Sequence, residues 1–343
     1  MKIVNREFLD VTTSSCHAST MVFYKGKPAF AWFGGTREGD PDSSIYFQYG
    51  TAGEPCRLFG GREAHWNPIL FVVDDKLFMS YKIGEFCDRW QTFIVDITNA
   101  ILTEVKLTEA KPKEDLCQFL PAGLNFCVKT KPIIDGNRVY CGSSVETRYD
   151  WTSYIEEYEY QEDKGFVYAS RSNPLTADKK NVKVRTLFGY PPREIITKGL
   201  IQPSIWLNDD KTEMHAYMRA STGLGKIYHS SSMVSSWDAF DFRVWSEPEA
   251  TQLFNPNSGM DVVQLNGKTY LVYNPDERKR APLVLAQVSD EHEVIDQITI
   301  RDEVEEITNS PELSYPYMIE NDGVLHLVYT YGRSKIEHVQ IQV

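Results

Sequence analysis

Residues Gly259 to Asn274 read GMDVVQLNGKTYLVYN. Two short apolar runs flank the pair Asn266-Gly267, the strongest short-range marker of a tight β-hairpin, because the turn needs residues that tolerate positive φ. Five other stretches repeat the pattern: STMVFYKGKPAFAWF from Ser19, NPILFVVDDKLFMSY from Asn67, TKPIIDGNRVYCGSS from Thr130, QPSIWLNDDKTEMHAYMR from Gln202 and SYPYMIENDGVLHLVYTY from Ser314. Their turn anchors are Gly26, Asp75, Gly136, Asp210, Gly267 and Gly323. These anchors lie roughly 50 to 75 residues apart, the period of a propeller blade rather than of a solenoid turn. No stretch sustains a helical period. The sequence therefore predicts an all-β fold, a six-bladed β-propeller, with residues 1–343 as one domain. Lys2 to Phe8 is predicted to add an outer strand to the last blade and so close the ring without a free edge. The long connections Glu104 to Leu120 and Asp163 to Thr197 read as outer strands with insertions. In such a ring the starts of the innermost strands face one another across a central funnel, where distant residues meet.

The chain has 343 residues, 42% of them hydrophobic and 24% charged, enough for a large core. Aromatics reach 13%, which suits both strand packing and stacking against sugars. The net charge of −12 repels phosphate backbones and anionic lipid, so neither nucleic acid nor a membrane surface is an expected partner. Met1 to Asp10 has no apolar run of the signal-peptide kind, and no stretch of 18 apolar residues occurs; a cytoplasmic location is the expectation. The six cysteines form no CxxC pair, and His17, His65 and Asp42 have no metal-ligand spacing, so no metal is expected. GGTREG at Gly34 to Gly39 is not a phosphate-binding loop, and no cofactor is expected.

Several segments resemble the sialidase (neuraminidase) superfamily, in its sialidase-like branch related to BNR repeats. They are Cys16 to Ile45, HWNPILF from His65, LIQPSIW from Leu200, Asn255 to Asn274, RAPLVLAQVSD from Arg280, and Leu313 to Val339. The resemblance implies a site with three arginines on a substrate carboxylate, a tyrosine nucleophile, a glutamate that activates it and an aspartic acid/base. By position, it assigns the first arginine to His17, the acid to Asp42 with Arg37 just before it, and the activating glutamate to Gln202. Arg219 and Arg280 take the other two arginine places, and Tyr315 that of the nucleophile. His17 and Gln202 depart from the pattern, and SSSMVSSW from Ser230 is only a relic of the family's Asp box.

Those residues set the chemical expectations. Arg219 and Arg280 form a guanidinium clamp for a carboxylate. Asp42 protonates a leaving oxygen, although Asp40-Pro41-Asp42 reads equally well as a turn. Tyr315 needs an activator that an amide at Gln202 cannot be, and Glu146 is the available substitute. His17 brings an imidazole where the family has an arginine. His65, Asn67, Lys82, Lys131, Asn257, Asp261, Asn274 and Arg333 are further candidates for the funnel wall. The expected function is hydrolysis of a glycan carrying a terminal acidic sugar, an ulosonic or uronic acid. A uronate-directed lyase and a non-catalytic glycan-binding propeller are the alternatives.

Overall fold

A computed structural model describes residues 1–99, 117–184, 193–233, 244–306 and 310–343. Residues 104–116 of the first long connection, 185–192 of the second, and 234–237 of the relic box lie outside the described residues.

Strand β1 (Lys2–Phe8) leads into six four-stranded antiparallel sheets. Blade one holds β2 (Ser15–Tyr24), β3 (Lys27–Gly35), β4 (Ser44–Tyr49) and β5 (Cys56–Phe59). Blade two holds β6 (His65–Val73), β7 (Lys76–Ile83), β8 (Gln91–Asp96) and β9 (Cys117–Phe119). Blade three holds β10 (Ile133–Asp135), β11 (Arg138–Glu146), β12 (Trp151–Gln161) and β13 (Gly165–Arg171). A separate hairpin follows, β14 (Asn181–Val184) with β15 (Arg193–Ile196). Blade four holds β16 (Leu200–Leu207), β17 (Glu213–Ala220), β18 (Lys226–Met233) and β19 (Glu249–Phe254). Blade five holds β20 (Asp261–Leu265), β21 (Lys268–Tyr273), β22 (Leu283–Val288) and β23 (Val294–Arg301). Blade six holds β24 (Leu313–Asn321), β25 (Val324–Tyr331) and β26 (Lys335–Gln342), and β1 pairs antiparallel with β26 as its fourth strand. The fold is the six-bladed β-propeller that the hairpin repeat predicts, closed by the N-terminal strand.

Burial explains the sequence pattern. Inner and middle strands are sandwiched between neighbouring blades and so are apolar on both faces; β16 is buried from Leu200 to Trp206 and β25 from Leu325 to Tyr331. Outer strands meet solvent, and β1 and β23 are mostly exposed. The core is accordingly a set of aromatic-rich layers between blades, such as Phe33, Phe59, Leu70 and Tyr81 between blades one and two.

The start of the inner strand is irregular in four blades. Register shifts fall at His17/Thr20, Trp66/Ile69, Ile201/Ser204 and Ser314/Tyr317. Within each shift sits a non-glycine residue at positive φ: Ala18 (52°), Asn67 (41°), Gln202 (54°) and Tyr315 (53°). In three of them the next residue is proline (Pro68, Pro203, Pro316), although a residue before proline normally stays extended. These β-bulges bend the strand and leave ladder positions unpaired. Side chains of other blades fill them. Thr130 Oγ1 donates to Pro203 O at 2.8 Å, Lys129 Nζ donates to Pro316 O, and Leu70 N donates to Thr20 Oγ1 at 3.2 Å.

Asp261 is the densest of these pins. Its fully buried carboxylate accepts from Lys131 Nζ at 2.8 Å, Ser204 Oγ at 2.7 Å, Val262 N at 2.9 Å and Met318 N at 2.8 Å, joining blades three, four, five and six. Removing one partner of such a pair strands the other without compensation. Asp261→Ala is expected to lower stability by about 3–5 kcal/mol. Chemical denaturation checks this; a midpoint within error of the wild type contradicts it.

Candidate functional site

The bulges present their left-handed residues to the axis. Tyr315 and Gln202 meet there: Gln202 Nε2 donates to Tyr315 Oη at 3.0 Å. Arg219, near the end of β17, donates from Nη1 to the same Oη at 3.0 Å and to Gln202 Oε1 at 2.9 Å. An arginine only donates, so its contact requires the amide oxygen of Gln202 on that side and the amide nitrogen on the phenol. Arg219 Nε donates to Asn257 Oδ1 at 2.6 Å, and Arg280 Nη2 donates to Asn257 O at 2.9 Å. Gly259 packs into this group; a Cβ there would come within 3.2 Å of Lys129 Cε and 3.5 Å of Tyr315 Cδ2. Blade one contributes His17, whose ring lies 4.1 Å from that of Tyr315 and whose Nδ1 is 3.0 Å from Thr330 Oγ1. Its Nε2 is buried without a hydrogen-bond partner. Blade three contributes Lys129, 5.8 Å above the Tyr315 ring.

Charge is distributed unevenly over the three arginines. Glu312 sits between Arg280, 3.4 Å away, and Arg333, whose Nε donates to it at 2.6 Å. Arg333 also pairs with Glu38, on the loop between β3 and β4. Burial pushes the Glu312 carboxyl upward, but Arg280 and Arg333 outweigh it and hold it below the usual carboxylate range. Arg219 is buried as well, yet among the described residues its hydrogen bonds go only to the neutral groups of Gln202, Tyr315 and Asn257. Buried charges are ordinarily paired, which makes Arg219 a candidate anion-binding group. Glu146, at the end of β11, is half-buried near Arg219 and Lys198; loss of solvent pushes its pKa up, and those two cations oppose the shift. Burial also brings Lys129 down to about 7, with Lys131 and Arg219 adding to the fall and Asp261 opposing it. For His17, burial together with Arg333, Arg280, Arg219 and Lys129 drives the pKa well below its ordinary value, so the ring is neutral.

The structure thus gathers His17, Gln202, Arg219, Asn257, Arg280, Tyr315 and Arg333, with Glu146 within electrostatic reach of Arg219. Other predicted residues lie elsewhere. Asp42 accepts two hydrogen bonds on Oδ2, from Thr36 N at 2.9 Å and Thr36 Oγ1 at 2.7 Å; these bonds and Arg57 lower its pKa. That is the turn reading of the Asp40-Pro41-Asp42 stretch. Arg37 is exposed and paired with Asp40 at 2.9 Å. His65 stacks on Tyr81 and its Nδ1 lies 2.9 Å from Glu63 O. Asn67, Lys82, Lys131, Asp261 and Asn274 bind backbone or carboxylate groups between or within blades. Examples are Asn67 Nδ2 to Val128 O at 2.9 Å, Lys82 Nζ to Cys127 O at 2.6 Å and Asn274 Nδ2 to Leu313 O at 3.0 Å. Sequence reading missed Lys129, Glu312 and Glu38. Glu312 stands two positions before Ser314, just ahead of the segment that carries Tyr315, which was the one available cue. Among the described residues no group of His, Cys, Asp and Glu is arranged to hold a metal ion, and no helix is long and apolar enough to cross a membrane.

All seven histidines of the chain share the depressed pKa of His17, in each case chiefly through burial; His229 falls to about 3 and His326 to about 4. Unfolding returns them to the ordinary value near 6.5, so below that pH the unfolded chain binds more protons than the folded one. Stability is therefore full above the unfolded value and falls as pH drops from about 6.5 toward 4, by up to roughly 1.4 kcal/mol per pH unit for each histidine involved. Urea denaturation at pH 7.5, 6 and 5 measures the trend, and equal stabilities across that range contradict it.

Comparison with known proteins was informative at the level of family and fold. The model of the BNR repeat-like domain matches residues 27–327. A crystal structure of a Dyadobacter fermentans protein of unknown function superposes with a TM-score of 0.71 at 12% identity, over 100% of this chain and 99% of that one. Trypanosoma rangeli sialidase in complex with the inhibitor DANA superposes with a TM-score of 0.60 at 10% identity, over 96% of this chain. The same sialidase in complex with sialic acid gives 0.55 at 12% identity. This chain spans about 55% of the length of the sialidase in the DANA complex. No curated protein matches the sequence.

Proposed function

The chain belongs to the BNR repeat-like domain family, and from that premise, with its fold shared with sialidases, we propose that its funnel binds and hydrolyses a glycan ending in an acidic sugar. The observation that carries the reading is Arg219, a buried cation held by Gln202, Asn257 and Tyr315 and paired with no carboxylate among the described residues. A sugar carboxylate supplies the missing negative charge, and Arg280 stands next to it as the second guanidinium. Tyr315 Oη receives donors from Gln202 and Arg219, which stabilise the negative charge that the oxygen takes on when it loses its proton. Water or the sugar's own carboxylate takes that proton, and the phenol oxygen bonds to the anomeric carbon as the glycosidic C–O bond breaks. Glu146, whose protonated form burial favours, is the group suited to give a proton to the leaving oxygen. Support for a saccharide partner also comes from the sialidase neighbours, one of which holds sialic acid.

One observation favours a second reading, binding without turnover. The partner of Tyr315 is an amide that donates to the phenol and cannot accept its proton. Fluorogenic glycosides of ulosonic and uronic acids, with calorimetry of the free sugars, separate the two. Under the first reading the wild type releases the fluorophore, Tyr315→Phe abolishes release while binding persists, and Arg219→Ala weakens acidic-sugar binding by about 10- to 100-fold. Binding with no release by the wild type supports the second. Unchanged affinity in Arg219→Ala overturns both.

A further inference from the structure

Beside the funnel, an open cleft of about 320 Å³ is lined by Thr12, Thr13, Ser14, Gly35, Thr36, Asp42, Tyr46 and Arg57. We propose that this cleft is a second saccharide site, which takes a neutral sugar unit joined to the acidic one in the funnel. The inference rests on the funnel being a saccharide site and gives the unit next to the acidic sugar its own place and its class, a neutral one.

The volume sits at the lower end of small-molecule sites, which run to ~1,000 Å³, and suits one sugar ring. Its chemistry is a charge-balanced mixture of hydroxyl, carboxylate and guanidinium groups. Asp42 and Arg57 act on each other electrostatically, and both act on the Tyr46 phenol. Two adjacent sugar hydroxyls can donate to the carboxylate and accept from the guanidinium. An anionic ligand would meet Asp42, held firmly ionised by Thr36, so the cleft favours a neutral one.

Asp42, Arg57 and the Tyr46 ring are held in place before any ligand arrives. Thr36 bonds Asp42 through its amide and its hydroxyl, and both bonds fall on Oδ2, which directs Oδ1 to a ligand. Arg57 Nε donates to Ser44 Oγ at 3.1 Å, and Ser44 Oγ donates to Asp42 O at 2.9 Å. The guanidinium lies where residue 60 has no side chain: a Cβ on Gly60 would fall 2.3 Å from Arg57 Nη2. The Tyr46 ring is stacked at 10° and 6.3 Å on the fully buried Trp32. Such rigidity lowers the cost of ordering the site on binding.

The cleft and the funnel share one loop. Thr36 and Asp42 face the cleft, while Glu38, between them, pairs with Arg333 in the funnel. Glu38 is two positions after Thr36, at most about 7 Å of backbone. The cleft and the rim of the funnel are therefore neighbours on one loop, and the proposal seats linked sugar units in both.

A glycan array carrying acidic monosaccharides, neutral oligosaccharides and acid-capped oligosaccharides tests the assignment with wild type, Asp42→Asn and Arg219→Ala. Acid-capped oligosaccharides are expected to bind the wild type at least tenfold more tightly than the acidic monosaccharide, and Asp42→Asn is expected to bring that ratio to within about twofold of one. Should Asp42→Asn unfold, Tyr46→Phe provides the same readout. Arg219→Ala is expected to lose the preference for an acidic cap and to keep the neutral-oligosaccharide binding that Asp42→Asn removes. If Arg219→Ala changes nothing while Asp42→Asn still acts, the funnel reading falls and the cleft stands. A wild-type oligosaccharide preference that survives in a folded Asp42→Asn, or a wild type that binds nothing on the array, overturns the proposal.

Discussion

The bulge at the start of the inner strand is the constraint on which the rest of the molecule depends. A regular strand would alternate its side chains between the two neighbouring blades and show only backbone to the axis. A residue at positive φ breaks that alternation. It turns Gln202 and Tyr315 out of the interblade layers and into hydrogen-bond contact with each other across the ring. A non-glycine residue in this conformation costs on the order of 1–3 kcal/mol, more easily tolerated where the surroundings over-determine it. The surroundings here include blade three, next to blade four and across the ring from blade six, whose Thr130 and Lys129 side chains bond the carbonyls of Pro203 and Pro316, the residues just after Gln202 and Tyr315. Blade closure and site geometry are thus consequences of the same irregularity.

Electrostatics then decides what the site can hold. The chain as a whole is acidic, yet the funnel collects Arg219, Arg280, Arg333 and Lys129. Glu312 and Glu38 neutralise two of the arginines and turn them into a rigid frame. A fully compensated cluster would be structural, and a fully uncompensated one would repel itself apart. Leaving Arg219 with neutral partners alone places the excess charge at one point, next to the Tyr315 hydroxyl. The depressed pKa of Lys129 reflects the same crowding after burial: the site sheds a proton from an amine more readily than it carries a fourth neighbouring cation.

The repeated hairpins made the architecture legible, because a blade buried on both faces writes its strands as apolar runs and its turns as Gly and Asp. The resemblance located Tyr315, Gln202, Arg219 and Arg280, and the ring does bring them into one cluster. The first-arginine position, His17, is also there, although as a neutral ring against Tyr315 rather than as a cation. Contacts between blades were the illegible part. Asp261 and Lys131 read in sequence as plausible wall residues, and only the ring shows that they spend their charge on each other and on backbone. Asp42 illustrates the limit of counting along a chain. It lies four positions after Glu38, and that is enough for the loop to direct one carboxylate to Arg333 and the other to Thr36. Lys129 carried no signal, since a lysine before Thr130 at a blade start looks like any solvated strand end.

The amide at Gln202 changes the chemistry of Tyr315 in a definite way. A carboxylate at that position would accept the phenolic hydrogen and leave the oxygen lone pairs to the ligand. Gln202 does the reverse, because Arg219 claims its carbonyl oxygen and leaves only the amide nitrogen to face the phenol. Tyr315 Oη therefore accepts from two donors, and its own hydrogen is left for a third partner. Under the proposed function that partner is the bound sugar, and the phenol becomes a stabilised anion only if the sugar or water takes up the hydrogen. On that reading, activation of the tyrosine waits on the ligand.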